Sequence, residues 1–180
     1  MRLVSLQPHP STPCAAVQAL NVLLTAQTNG DWLLHYELCA DMSALHIPAL
    51  QAPSATDGLW EHTCLEIFIG VQGETAYREF NFSPSTQWAA YAFRDYRERV
   101  EWSVSRAPSI TLAPTYAGFI LQTTISAADL PSNPMQQPWQ IGLTAVIETA
   151  TGEKSYWALH HPAEKPDFHQ RGGFALSLPA

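Results

Sequence analysis

The sequence predicts an all-β protein, an antiparallel β-sandwich of about nine or more strands, and two observations support this prediction. Fourteen prolines and nine glycines divide the 180 residues into short segments, a pattern typical of many strands rather than of long helices. Nine segments are apolar runs, most of them with the partial period of two that strands require. A chain of this length fits one core, so we expect a single domain over residues 1–180.

Each predicted strand lies between turn-forming residues. In chain order, the runs cover residues 15–27, 32–40, 64–70, 77–84, 87–96, 118–126, 139–148, 154–161 and 173–179. The sequence TATG after the seventh run predicts a hairpin turn. Residues 41–58 and 159–173 have no strand pattern and predict long surface loops, which are often functional.

Charge and composition exclude several partners. The net charge is −7, and the only basic cluster, FRDYRER (residues 93–99), is offset by Asp95 and Glu98. Nucleic-acid binding needs a basic surface, so we expect no nucleic-acid partner. We also expect no membrane partner, because no stretch approaches about 18 apolar residues. The lack of a secretory signal and the odd number of cysteines, three, predict a cytoplasmic protein with reduced thiols.

Alternation predicts which side chains face the core. In the third run Leu65, Ile67 and Ile69 share one face and Glu66 takes the other. By the same rule we place Ala89, Tyr91 and Phe93 in the core. The opposite sheet face then carries the polar and aromatic set Glu66, Glu79, Asn81, Trp88 and Arg94, with Ala90 and Ala92 leaving it concave and Glu148 in phase on a later strand.

This predicted face has the chemistry of a polyol site. Carboxylates, an amide and an arginine form planar hydrogen bonds with hydroxyl groups, and an aromatic ring packs against the sugar C–H face. Apolar contact with a few placed polar groups is the general composition of a small-ligand pocket. A sheet face exposed to solvent carries the same residue types, so this second interpretation also stands.

Two blocks of the sequence resemble bacterial DOMON-like proteins, which are relatives of the family-nine carbohydrate-binding modules. The first is GLWEHTCLEIFIG (residues 58–70) with YREFNFSPSTQWAAYAFRDYR (77–97), and the second is IGLTAVIE (141–148) with KSYWALHHPAEKPDFH (154–169) and GFALSL (173–178). The resemblance implies a β-sandwich that binds a small ligand, either a sugar or a haem. It also implies an acidic residue on the first central strand, here Glu66, with flanking rings from Trp60, Trp88 and Trp157.

The sequence thus predicts a module that binds a small, carbohydrate-like ligand, with no catalytic residue and no metal site. We expect hydrogen bonds from the polar set and stacking by Trp60 and Trp88. His62, His160 and His169 are expected at the rim. The pair His62 and Cys64 is only half of a zinc motif.

Two alternatives from other classes stay open at the sequence level. One is a haem-binding redox domain that uses two of the rim histidines as axial ligands. The other is an enzyme in which Glu66 and His62 perform acid–base chemistry.

Overall fold

Runs with an apolar residue at every second position form the long strands of this protein. The computed structural model describes residues 1–180 and contains thirteen strands. They are β1 (Arg2–Ser5), β2 (Gln7–Pro8), β3 (Val17–Ala26), β4 (Trp32–Ala40), β5 (Cys64–Val71), β6 (Tyr77–Phe82), β7 (Trp88–Asp95), β8 (Glu98–Val100), β9 (Ser109–Thr115), β10 (Gly118–Ile125), β11 (Trp139–Glu148), β12 (Lys154–Ala158) and β13 (Leu176–Leu178). All nine predicted runs contain a strand.

The strands form two antiparallel sheets, which confirms the predicted all-β sandwich. One sheet has five strands in the order β1-β3-β4-β10-β9. The other has eight, in the order β2-β12-β11-β5-β6-β7-β8, with β13 paired to β11. The helical content is four 3-10 turns, at Met42–Ala44, Leu59–Glu61, Ala127–Asp129 and Arg171–Gly173. None of these helices has the length and hydropathy needed to cross a membrane.

The main core lies between the two sheets and contains 24 buried residues. Leu34 and Tyr36 of β4 face Ile67 of β5 and Leu143 of β11 across this layer, all fully buried. The Tyr36 hydroxyl donates a 2.8 Å hydrogen bond to the Glu66 carbonyl oxygen and so ties the sheets together. Burial of an apolar side chain of this size stabilises the fold by about 1.5–3 kcal/mol.

A second apolar cluster lies on the other, outer face of the eight-stranded sheet. Its eight buried residues are Leu59, Cys64, Phe68, Tyr77, Ala89, Tyr91, Phe93 and Phe174. Most come from β5, β6 and β7, while Leu59 directly follows the predicted loop 41–58 and Phe174 belongs to the predicted run 173–179 but lies before β13. The outer face is therefore covered at one end by residues that lie outside the strands.

The predicted orientation of β7 is wrong. Tyr91 lies opposite Glu79 in the β6–β7 register, and Trp88 lies opposite Phe82. Directly opposed residues share a sheet face, so Tyr91 and Phe93 occupy the outer face while Trp88 packs against the main core. Both faces of β7 carry large apolar side chains, and alternation alone cannot tell such faces apart.

The strands absent from the sequence prediction are β1, β2, β8 and β9. β9 is an edge strand that contains Pro114. Proline lacks the N–H that an inner strand needs for its ladder, but on the open side of an edge strand that N–H would face solvent and is not needed. β2 and β8 are only two and three residues long. Such short or proline-containing strands are stabilised by their neighbours, so their own sequences give a weak signal.

Candidate functional site

A cavity of about 540 Å³ lies on the outer face of the eight-stranded sheet. Its floor comes from β5, β6, β7, β11 and β12, and its walls come from the Leu59–Glu61 turn, β8 and residues 166–169. The lining residues are Trp60, Glu61, Glu66, Phe68, Glu79, Tyr91, Phe93, Arg97, Arg99, Val146, Lys154, Tyr156, Pro166, Asp167, Phe168 and His169. We call this the outer-face cavity.

Two glycines on the sheet let the C-terminal part of the chain form one wall. A Cβ at Gly70 would lie 1.5 Å from Arg171 Nη1, and one at Gly142 would lie 3.1 Å from the Phe174 ring. Arg171 Nη2 donates to the Val71 carbonyl oxygen at 3.0 Å, and its guanidinium lies 4.7 Å from the centre of the Phe174 ring. These contacts hold the segment of residues 162–174, the covering segment, against the sheet.

Two buried glutamates from neighbouring strands form the polar centre of the cavity floor. Glu66 Oε2 accepts a 3.0 Å hydrogen bond from the Thr144 hydroxyl. Glu79 Oε1 accepts a 2.9 Å hydrogen bond from Asn81 Nδ2. Both carboxyls are almost inaccessible to solvent, and neither forms a hydrogen bond to a lysine or an arginine. The two carboxyls are thus held by uncharged donors, a hydroxyl and an amide, and not by cations.

Burial raises the pKa of Glu66 above its ordinary value, and the nearby Glu79 carboxyl raises it further. Burial also raises the pKa of Glu79, against the opposing effect of the hydrogen bond from Asn81. Two close carboxyls away from water favour their protonated forms, since ionising both would place like charges together. A protonated carboxyl both donates and accepts hydrogen bonds. Asn81, whose Oδ1 has no hydrogen-bond partner, lies opposite Glu66 in the β5–β6 register.

His169 connects the covering segment to this centre as a neutral imidazole. Its Nδ1 lies 2.9 Å from the Tyr77 hydroxyl, and its Nε2 lies 3.8 Å from Glu79 Oε2. Burial lowers the pKa of His169 to about 4, and the charge of Arg97 acts in the same direction. Because the pKa of His169 is lowered to about 4, its imidazole is uncharged at neutral pH, and its contact with Glu79 is not a salt bridge there.

Aromatic rings and cations surround the cavity mouth. Trp60, which is 43% exposed, packs edge-on against Tyr91 with ring centres 5.9 Å apart. The Arg99 guanidinium lies 4.1 Å from the centre of the Tyr91 ring, and the Tyr91 hydroxyl donates to Asp57 at 2.7 Å. The mouth therefore offers a half-exposed indole and a guanidinium close to each other.

The covering segment is also held by charge. Arg97 Nη2 lies 2.9 Å from Asp167 Oδ1, and the Tyr96 hydroxyl donates to Asp167 Oδ2 at 2.6 Å. Partial burial acts to raise the pKa of Asp167, but the hydrogen bonds from Tyr96 and Arg97 and the charge of Arg97 lower it overall. The turn between β7 and β8 thus docks against the covering segment and closes one side of the cavity.

Four of the residues predicted for the site line this cavity: Trp60, Glu66, Glu79 and His169. Asn81 lies behind them as the donor to Glu79. The acid–base pair of the enzyme alternative, Glu66 with His62, is not formed, because His62 Nδ1 contacts Glu148 Oε2 at 2.7 Å. Burial acts to raise the pKa of Glu148, but hydrogen bonds from His46 and His62 lower it overall.

Four other predicted site residues lie elsewhere. Trp88 and Trp157 pack against the main core, since Trp157 lies opposite Ala145 on the core side of β11. Arg94 is exposed and pairs with Glu98. His160 lies in a separate depression beside Gln7 and His9. The three histidines predicted at one rim line three different depressions: His169 lines the outer-face cavity, His160 the depression beside Gln7, and His62 a third.

Several cavity residues were not predicted from the sequence. Tyr91 and Phe93 were assigned to the core because of the inverted phase of β7. Arg97 and Arg99 lie in the cluster FRDYRER, which we interpreted only as a charge-balanced segment. Arg99 shares the sheet face of Phe93 because the two lie opposite each other in the β7–β8 register, and a strand after the turn at residues 96–97 is not among the predicted runs.

Comparison with known proteins supports the fold. No family model matches the sequence, and no curated protein matches it. Among solved structures, the chain is similar to a "putative carbohydrate-binding protein" from Bacteroides uniformis. The TM-score is 0.67 at 15% sequence identity, over 96% of this chain and 84% of the other. At that identity the likeness shows a shared β-sandwich fold.

Proposed function

We propose that this protein binds a small hydroxyl-rich ligand of the carbohydrate type in the outer-face cavity. The observation that carries the proposal is the combination, in one cavity, of aromatic rings with two buried carboxyls that favour the protonated form. The volume of about 540 Å³ is within the range of about 300–1,000 Å³ typical of small-molecule sites. The earlier resemblance to DOMON-like proteins supports the same ligand class.

The polar floor suits a ligand with many hydroxyl groups. A neutral Glu66 or Glu79 donates and accepts at the same carboxyl, and a sugar hydroxyl does both as well. A ligand without such groups would leave unpaired the carboxyl oxygens that Thr144 and Asn81 do not contact, which costs about 1–3 kcal/mol for each group. The floor thus discriminates against purely apolar ligands of the same size.

The mouth suits the apolar face of a ring. Trp60 is half-exposed beside Tyr91, and an exposed indole at a cavity mouth offers a flat surface for C–H groups. The similarity to the Bacteroides protein adds support, since carbohydrate binding is the function suggested for it. Cytoplasmic location stays part of the proposal and fits a metabolite-sized ligand.

The test is a thermal-shift screen of monosaccharides, disaccharides and sugar acids, followed by titration calorimetry of any hit. We expect Glu79→Gln and Trp60→Ala each to weaken binding at least tenfold. Arg99→Gln should also weaken binding, since Arg99 lines the cavity. Arg94→Gln is its matched control, because Arg94 is an exposed arginine of the same sheet that does not line the cavity. Binding that is unchanged in Glu79→Gln and Trp60→Ala, or no hit at all, would contradict the proposal.

An enzyme is a second candidate because of one observation: two carboxyls with raised pKa values line the same cavity. Such pairs are common at catalytic sites. The residues concerned are then Glu66 and Glu79, with His169 beside them, and not Glu66 with His62. Hydrolysis of aryl glycosides by the wild type, abolished in Glu79→Gln, would favour the enzyme, while tight binding without turnover would favour the binding module.

A further inference from the structure

Three side chains of metal-binding type converge at the end of β11, in a cluster separate from the lining of the outer-face cavity. His46 Nδ1 lies 2.8 Å and His62 Nδ1 lies 2.7 Å from the same atom, Glu148 Oε2. One ligand atom from each residue lies within 4.8 Å of the other two. The two imidazole rings stand edge to face, with centres 5.5 Å apart. We propose that His46, His62 and Glu148 form a binding site for one zinc ion.

The backbone around the cluster holds the three residues in place without a ligand. The His46 amide donates to the Glu148 carbonyl oxygen at 2.9 Å. The buried Thr63 hydroxyl donates to the His46 carbonyl oxygen at 2.7 Å and accepts from the Glu148 amide at 3.0 Å. Three segments far apart in the sequence are thereby fixed to one another, so the site needs little ordering when it binds an ion.

The donor set selects the kind of ion. Two imidazole nitrogens with one carboxylate oxygen are typical ligands of Zn²⁺ and related transition metals. Ca²⁺ and Mg²⁺ prefer sites made of oxygen atoms. Three protein ligands leave the fourth tetrahedral position to water, as in zinc sites that stay open.

The distances require only a small adjustment. Tetrahedral ligands at about 2.1 Å from zinc lie about 3.4 Å from one another, so each nitrogen would move away from Glu148 Oε2 by about 0.6 Å. The side chains of His46 and His62 are 51% and 56% exposed and are free to move, while the Glu148 side chain is 12% exposed and is fixed. The proposal does not depend on the sugar-binding proposal, because none of the three residues lines the cavity.

The test is titration of the full-length protein, first dialysed against EDTA, with zinc chloride in a calorimeter. We expect one zinc ion per chain and a rise of the thermal midpoint on binding. His46→Gln and His62→Gln should each weaken binding at least tenfold. His160→Gln is the matched control, because His160 is an exposed histidine outside the cluster, and it should bind zinc as the wild type does.

Two further measurements test the coordination geometry and the folding of the variants. Cobalt(II) should give the intense visible absorption of tetrahedral coordination in the wild type and in His160→Gln, but not in the double variant His46→Gln/His62→Gln. Circular dichroism and thermal unfolding in EDTA show whether the variants keep the fold. The absence of one-to-one binding, or its persistence in the double variant, would overturn the proposal.

Discussion

At the scale of single residues, burial rather than residue type gives the outer-face cavity its chemistry. Glu66 and Glu79 are ordinary glutamates in the sequence, and alternation places them correctly on one sheet face. What the pattern does not contain is how deeply that face is buried. The apolar neighbours Phe68, Tyr91 and Phe93 exclude water from the carboxyls, and the raised pKa values follow from this exclusion.

Replacing Glu79 should change how stability depends on pH. A carboxyl whose pKa is raised in the folded state binds its proton more tightly there than in the unfolded chain. Its stabilising effect is therefore lost as pH rises above the ordinary value of about 4.5. Relative to the wild type, Glu79→Gln should gain stability as pH rises from about 4.5 to about 7, the pKa of Glu79 in the folded protein, and should gain no more above it. Urea unfolding across this range measures the difference, and a constant difference would contradict the raised pKa.

Replacing His169 should change the pH dependence of stability in the opposite direction. Its pKa is lowered to about 4 in the folded protein, from an ordinary value of 6.5. As pH falls from 6.5 towards 4, His169 is protonated in the unfolded chain but not in the folded chain. The wild type therefore loses about 2–3 kcal/mol of stability over this interval. We expect His169→Gln, which carries no such proton, to lose less over this interval.

The His169 measurement also compares unfolding free energies, at pH 8, 6 and 4.5. His160→Gln is the control, because it removes an exposed histidine that lies outside the outer-face cavity. If the free energy of unfolding of His169→Gln changes with pH as much as that of the wild type, the pKa of His169 is not lowered in the folded state.

At the scale of secondary-structure elements, the covering segment depends on glycine at position 70. In Gly70→Ala the new methyl group would occupy the position of the Arg171 guanidinium. The arginine would then lose its hydrogen bonds to the Val71 carbonyl oxygen and to Gln140 Oε1, both at 3.0 Å or less. We expect Gly70→Ala to destabilise the protein by about 1–2 kcal/mol and to increase hydrogen exchange in the covering segment.

A double-mutant cycle isolates this contact. In the background of Arg171→Gln, the change Gly70→Ala should cost much less, since the guanidinium that it displaces is no longer there. Equal costs of Gly70→Ala in both backgrounds would mean that the glycine acts through its backbone and not through Arg171.

The strands themselves differ in how well their sequences define them. β4 is predicted with its observed bounds, Trp32–Ala40, because every second side chain is buried. β7 has apolar side chains on both faces and was assigned in the wrong phase, so Trp88 was placed in the site and Tyr91 in the core. The register with β6 decides the phase, and register depends on partner strands that local alternation does not describe.

At the scale of the whole molecule, neighbouring strands are distant in the sequence. Ile69 of β5 lies opposite Ile141 of β11, and the two sheets close over one core. Folding must bring such distant segments together before their contacts stabilise them, so we expect refolding in milliseconds to seconds. Stopped-flow tryptophan fluorescence after dilution from urea measures this rate. Refolding within microseconds would contradict the expected dominance of non-local pairing.

The candidate metal site also belongs to the scale of the whole molecule. In the sequence, His62 and Cys64 form half of a zinc motif, but the neighbours of His62 in the structure are His46 and Glu148. These residues come from two loops and the end of β11, so the cluster has no short, regular spacing of metal ligands in the sequence that would predict it. The bridge between Leu45 and Thr149, the hydrogen bond from the His46 amide to Glu148 and the hydrogen bonds of Thr63 bring them together.

The sequence by itself determined the fold class, most of the strands and the face that carries Glu66 and Glu79, because period-two burial is a local property of each strand. The tertiary structure decided the phase of β7, the cavity and the histidine cluster. The cavity exists because the covering segment packs over Gly70 and Gly142. Such packing joins residues about a hundred positions apart, and its energy depends on distances that no local pattern encodes.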